Sequence, residues 1–250
     1  MEMGVAVRAR PIAPRVGPGG APEESGVLDA ETLAAIRASH LGAVPLDVVE
    51  ALTRDAIHLD VRAGTLVVRE SEASASLVVT GALRLFMTSP SGRRTTLRYI
   101  RPGGLMGIAT LFGGAAHVGV TALVDTRLLV FRSGLLREAA LTDVRVAVAF
   151  LRETSERVNG YVNELGGSVF STVRQRIVRH LHDSAVEDGT GSVVATLSQQ
   201  ELADAAGSLR ETVVRILREL REAGLVQTGR TGITLLDPSR LEEELWIPGR

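Results

Sequence analysis

The 250-residue chain contains no cysteine, and reading it through finds no lysine either, so its 28 basic residues are all arginine. Without thiols there is no disulfide, no thiolate nucleophile, no cysteine-held zinc and no iron–sulfur cluster, a composition suited to a reducing cytoplasm. Without lysine there is no Schiff-base catalyst and no Walker A loop, whose lysine grips the phosphates. Net charge is almost absent too, at −1, so nothing in the whole-chain field draws nucleic acid, and any DNA contact must come from locally placed arginines. Apolar runs stay well short of the ~20 residues that span a bilayer, and the N-terminus lacks a signal-peptide pattern. A cytoplasmic protein with no membrane partner is expected.

The hydrophobic share of 45% is enough for a sizeable core, and the length allows one or two domains. Pro11, Pro14, Pro18, Pro22, Gly19 and Gly20 crowd the start, so residues 1–27 read as a flexible arm. Apolar residues then recur at helical spacing (Leu33, Ile36, Leu46, Val49, Leu52) and predict two short helices up to Leu59. From there to Phe131 the pattern shifts to short β-type runs (64–68, 77–80, 82–86, 95–100 and 118–124) punctuated by glycines about every ten residues. That cadence suits a small antiparallel barrel or jelly roll, with 89–92 as a hairpin turn. Residues 28–134 are taken as this β-roll with its flanking helices.

Residues 135–167 read as one long helix and a hinge. Val144, Leu151, Val158 and Leu165 repeat every seven residues, with Ala147, Val148, Thr154, Tyr161 and Val162 widening the stripe. The stripe is expected to form a dimer seam rather than only to pack on its own barrel, and Gly166-Gly167 is expected to end the helix.

Residues 168–250 form the last unit. Ser198 and Glu201 stand as a capping box, Ala203, Ala205 and Ala206 allow close helix crossing, and Gly207 suits a tight turn. Val213, Ile216, Leu217 and Leu220 give the second helix a buried face. This is a helix-turn-helix, and residues 225–235 add two short strands around a glycine turn with Arg230 at the tip, a wing. The outer face of the second helix carries Arg210, Glu211, Arg215 and Arg218. Arginine matches guanine O6/N7 with two parallel hydrogen bonds, and glutamate can accept from cytosine N4. Between 168 and 235 eight arginines meet eight acids, so two half-sites held by one dimer are needed to bind DNA well.

The order of β-roll, long helix and winged helix-turn-helix, with Gly-x-x-Arg-Glu-Thr-Val-x-Arg-Ile-Leu at 207–217, resembles the CRP/FNR family of bacterial transcription regulators over about residues 28–236. The resemblance implies an α+β fold: a cyclic-nucleotide-binding-like β-roll (jelly roll), a dimerisation helix and a C-terminal winged helix-turn-helix. It implies a homodimer on a palindromic GTGA-type site in double-stranded DNA, with RNA polymerase as a further partner. It also implies that Arg210, Glu211 and Arg215 read bases while Ser198, Gln200, Thr212, Arg218 and Arg230 contact phosphates. Leu209 departs from the serine many members carry.

The effector side of the resemblance is weaker. Where cyclic-AMP-binding members have Gly-Glu-Leu followed by Arg-Ser, this chain has Gly107, Ile108 and Ala109, and no arginine from Pro102 to Thr126. Tyr161 and Val162 stand where the adenine-facing Thr-Ser pair would be. A phosphate without a cation is strongly disfavoured, so the pocket (with His117) reads as degenerate and cyclic AMP is not expected to act. No cofactor is expected. The alternative is a haem or small-molecule sensor, with His117 on the iron and Met106 or a residue of the arm as its second ligand. An apolar effector, a partner protein, or no ligand at all stay open. His180 and His182 face different sides of a helix and do not make a metal pair. Catalysis is not expected: a cupin-type metal site needs several histidines, and 59–131 holds only His117, while Gly103–Gly107 lacks the dinucleotide fingerprint. A structural or ligand-storage module is the non-DNA rival, separated by whether the protein shifts a duplex with two GTGA-type half-sites.

Overall fold

The computed structural model describes residues 28–68, 75–89, 92, 94–113, 118–188, 190–229 and 232–245, and of 163–170 the backbone only. The expected arm and the tip of the 89–92 turn lie outside these residues, as do His117 and Arg230.

Two helices, α1 (Ala30–Ala38) and α2 (Leu46–Thr53), flank a 3-10 turn at His40–Ala43. Asp29 caps α1 by accepting from the Thr32 amide, and Pro45 precedes α2. The β-roll follows: β1 (Ile57–Val61), β2 (Leu66–Val68), β3 (Ser76–Thr80), β4 (Leu83–Thr88), β5 (Arg94–Ile100), β6 (Leu105–Met106), the short helix α3 (Ile108–Phe112), β7 (Gly119–Ala122) and β8 (Thr126–Val130). They pair as two four-stranded antiparallel sheets, β1-β8-β3-β6 and β2-β7-β4-β5. Strand β3 explains its own apolar run: Val78 faces the barrel core with Leu83, Leu128 and Val120, whereas Leu77 and Val79 face a second core under the helices. In that second core Ile36, Leu41, Leu52 and Leu136 close over the sheet together with Val146 and Phe150.

The predicted long helix is two helices, α4 (Ser133–Thr142) and α5 (Val144–Phe170). Asp143 breaks it because its carboxylate accepts from the Arg145 amide (2.9 Å), as a helix N-cap does, and pairs with the Arg145 guanidinium (2.6 Å). Those bonds hold the carboxyl down at about 2. The expected stop at Gly166-Gly167 is corrected: α5 continues through both glycines to Phe170, and the chain turns at Ser171-Thr172.

The last unit comprises α6 (Val173–Ser184), β9 (Ala185–Glu187), β10 (Val193–Ala195), α7 (Gln199–Ala205), α8 (Arg210–Glu222), β11 (Val226–Thr228), β12 (Ile233–Leu235) and α9 (Pro238–Glu243). The two wing strands join a four-stranded sheet, β11-β12-β10-β9, so the wing is anchored on a sheet wider than its own hairpin. Gly232 makes the join possible. Its φ is +149°, and a Cβ there would lie 2.4 Å from the Ala195 carbonyl oxygen on β10. Gly232→Ala should therefore cost about 1–3 kcal/mol through backbone strain, read as a lower denaturant midpoint of the C-terminal transition. An unchanged midpoint would mean the wing relaxes freely.

Candidate nucleic-acid interface

The capping box read from Ser198 and Glu201 is present: the Ser198 oxygen accepts from the Glu201 amide at 3.1 Å, and the Glu201 carboxylate accepts from the Ser198 amide at 2.9 Å. It starts α7 at a fixed angle. Leu202, Ala203 and Ala206 sit against Val213, Ile216 and Leu217 in one core with Ile177 and Leu181 of α6. Gly207, at φ +60°, turns the chain between the two helices. Its turn is braced from α6, where the Arg176 guanidinium donates to the Ala206 carbonyl (2.9 Å).

This packing leaves the other side of α8 in solvent. Arg210, Glu211, Arg215 and Arg218 are all exposed, and Thr212 is half-buried. Arg215 donates to Glu219 (2.9 Å), which also takes a bond from Arg174 (3.0 Å), so the arginine is tethered but not shielded. Arg218 and Glu222 stand 3.9 Å apart. Arg221 donates to the Thr228 hydroxyl (3.0 Å) and ties α8 to the wing. A groove of about 490 Å³ runs between the first turn of α7, Arg210 and the wing residues Thr228 and Gly229. Ser198 and Gln200 are exposed on its α7 side, although each side chain is already engaged, Ser198 with Glu201 and Gln200 with Asp204 (2.9 Å). Of the residues singled out from the sequence, the groove gathers Ser198, Gln200 and Arg210. Sequence reasoning missed Arg174 and Arg176, which reach Glu219, Glu244 and the Ala206 carbonyl far along the chain, and Arg221, which meets Thr228 across the turn into the wing.

Helix α5 carries apolar residues on two opposite faces. Val146, Ala149, Phe150 and Glu153 pack on the β-roll. At 100° per residue, Val144, Val148, Leu151, Val158 and Val162 fall on the far side, and they are 73, 39, 65, 54 and 60% exposed. Two assignments change. Val162 belongs to the exposed stripe and not to the effector pocket, whereas Tyr161 faces a cleft beside the β-roll and leaves the seam. The Leu165 side chain lies outside the described residues.

The effector pocket proposed from the sequence does not assemble as read. Ile108 is fully buried in the helical core beside Leu111, and Ala109 is exposed, because α3 turns its apolar face toward α4 and α5. Of the residues singled out, Tyr161 lines the cleft of about 420 Å³ that the structure does form, between β5, α5 and α6. That cleft also corrects the argument from missing cations. Arg98 on β5 and Arg157 on α5 both donate to the Leu105 carbonyl, the former at 2.9 Å. Arg157 further pairs with buried Glu153 at 2.7 Å. Burial, reinforced by Arg157, pulls the Arg98 guanidinium down to about 10. Arg157 is paired with Glu153, whereas Arg98 bonds only a carbonyl and its buried Nε has no hydrogen-bond partner; neither arginine falls in the 102–126 window. His180, buried with its Nδ1 3.4 Å from the Tyr99 hydroxyl, is held neutral, its pKa depressed by burial to about 4. His182 is exposed. Among the described residues no group of three or more His, Asp or Glu could hold a metal, and no helix is long and apolar enough to cross a membrane. The haem reading rested on His117, outside the described residues.

Comparison with known proteins agrees with this geometry. Residues 175–244 match the Crp-like helix-turn-helix domain family, and residues 58–143 match the cyclic nucleotide-binding domain family. The chain is 32% identical over 169 residues to the transcriptional regulator LdrP of Thermus thermophilus, covering 66% of this chain and 83% of that protein. It is 25% identical over 213 residues to a CRP-like cAMP-activated global transcriptional regulator of Mycobacterium tuberculosis, covering 82 and 95%. A solved transcriptional regulator of the CRP/FNR family, also from Thermus thermophilus, superposes with a TM-score of 0.64 at 26% identity, covering 77% of this chain and 100% of that one. With a nucleotide-binding-type β-roll, a long helix and a winged helix-turn-helix in the family's order, the chain belongs to the CRP/FNR family of DNA-binding transcription regulators and not to an enzyme family.

Proposed function

We propose that the protein acts in the cytoplasm as a homodimer that reads a palindromic GTGA-type site, with Arg210, Glu211 and Arg215 on base edges and Ser198, Gln200, Thr212, Arg218 and Arg230 on phosphates. The observation that carries this reading is the solvent-facing row of α8, presented by a fully buried opposite face. The exposed apolar stripe of α5 supports the dimer, since five apolar side chains on one helical face are stable in water only against a matching surface. RNA polymerase is the partner that a regulator of this kind would engage. The test is a mobility shift with a duplex bearing two half-sites, against the same duplex with both scrambled.

We further propose that cyclic AMP is not required. The M. tuberculosis relative is named as cAMP-activated. In this chain the cleft beside α5 holds Arg157 paired with Glu153, and the Leu105 carbonyl takes bonds from Arg157 and Arg98, whose buried Nε has no hydrogen-bond partner. A nucleotide phosphate would have to displace these bonds, and it finds no arginine in the 102–126 segment. Millimolar cyclic AMP should leave DNA affinity unchanged. A gain of tenfold or more, corresponding to about 1.4 kcal/mol of coupling, would contradict the proposal.

A further inference from the structure

We propose that Arg84 of the β-roll is a positioning residue for DNA binding: it clamps the helix-turn-helix unit to the roll and so fixes the half-site spacing the dimer accepts. The inference rests on the reading of α8 as the base-reading helix.

Arg84 lies on β4 between Leu83 and Leu85 and is only 3% exposed. Its Nε donates to the Thr96 hydroxyl on β5 (2.9 Å), and its Nη1 donates to Glu201 of α7 (3.4 Å). Its Nη2 is buried with no hydrogen-bond partner. A buried guanidinium is expensive, and an apolar side chain would serve the roll's own stability better. The carboxylate that compensates it comes from the other domain. Glu201 is divided between two tasks: one oxygen holds the Ser198 amide and hydroxyl (2.9 and 2.8 Å), and the other faces Arg84. The carboxylate that starts α7 is therefore also the one that binds α7 to β4.

The rest of the described interface mixes polar bonds with the packing of Tyr99 and Leu123 against the apolar core of the last unit. Arg101 donates to the carbonyls of His182 (2.8 Å) and Asp183 (3.0 Å), Thr196 donates to the Leu123 carbonyl (3.2 Å), and Tyr99 meets His180 edge-on, with ring centroids 6.1 Å apart. Interfaces between domains of one chain are releasable by default, and a pair that joins the buried Arg84 guanidinium to the half-exposed Glu201 carboxylate contributes to the specificity of this one. Docking leaves the arginine row of α8 exposed, so it does not mask the DNA-reading face. What docking sets is the direction of α8 relative to α5. In a symmetric dimer about α5, that direction determines the separation of the two recognition helices, which must match the DNA helical repeat.

The experiment uses full-length wild type, Arg84→Met, Arg84→Lys and Glu201→Gln, with duplexes whose two GTGA-type half-sites are separated by the best spacer or by one or two base pairs more or fewer. Methionine fills the arginine stem's volume without a charge. Glutamine retains the capping box while removing the carboxylate charge. Wild type should show a sharp spacing optimum. Arg84→Met and Glu201→Gln should bind the optimal duplex about tenfold more weakly, with a flattened spacing profile, as two tethered but loosely oriented binding units do. The affinity of Arg84→Met for a duplex with one half-site should not change, and Arg84→Lys should recover the optimum at least in part. A wild-type spacing profile in Arg84→Met and Glu201→Gln would overturn the clamp. A second readout needs no DNA: backbone hydrogen exchange in β5 and the first turn of α7 should quicken in Arg84→Met, and unchanged exchange would also overturn it. If wild type shifted none of the duplexes, the DNA-site reading would fail, and the exchange result would still decide the clamp.

Discussion

Replacing Leu151 and Val158 with glutamate should halve the mass in solution and abolish binding to a two-half-site operator. Both side chains are more than half exposed on the face of α5 turned away from the β-roll, so the substitutions leave the monomer's cores intact. In a dimer they would bring like charges together in an apolar seam, where an unpaired buried charge costs several kcal/mol. Losing the seam also loses the linkage of two half-site contacts, which raises avidity by about 10²–10⁴-fold. Sedimentation reads the mass, and circular dichroism shows whether the helices persist. A well-folded double variant that still sedimented as a dimer would place the dimer contact elsewhere.

The second large effect separates base reading from backbone anchoring. Arg210→Ala and Arg215→Ala should each cost roughly 1–3 kcal/mol per half-site and relax the preference for guanine at one position, because each loses a bidentate contact to a base edge. Arg218→Ala should instead weaken all sequences alike and lower the salt slope by about one unit per contact, or two per dimer. Arg215 must first leave Glu219, but that pair is exposed and worth little, and Arg174 remains to hold the acid. Single-base operator variants titrated at several salt concentrations separate these cases. Equal losses on every variant for Arg210→Ala would mean that α8 does not lie in the groove as its exposed row suggests.

The helix-turn-helix was legible because its determinants are local. The capping box, the small residues of α7 and Gly207 lie within ten residues, and each acts on its neighbours. The wing was legible for the same reason, whereas β9 and β10, which complete its sheet, are three-residue strands too short to show a period. Helix α5 was legible as a helix but not by face. With Val146 and Phe150 buried on one side and Val144, Leu151 and Val158 exposed on the other, apolar residues surround it, and periodicity alone cannot say which side meets the β-roll. Tyr161 and Val162, each read as part of both the stripe and the pocket, are separated on that account, Tyr161 to the cleft and Val162 to the exposed face. Gly166-Gly167 misled because a glycine costs a helix only ~1 kcal/mol, which a long helix can absorb. The cleft was not legible at all: Arg98, Leu105 and Arg157 meet through the barrel's closure and the docking of α5, not through spacing along the chain. Arg84 lies within an apolar β-type run, and the first turn of α7, which covers it, is too far along the chain for the run to reveal.

The central claim, a dimer reading a two-fold site through α8, is tested most directly by titrating the wild-type protein against a duplex with two GTGA-type half-sites while the mass of the complex is measured. The account predicts saturation at two chains per duplex, with affinity falling when either half-site is scrambled. One chain per duplex, or equal affinity for the scrambled sequence, would contradict it.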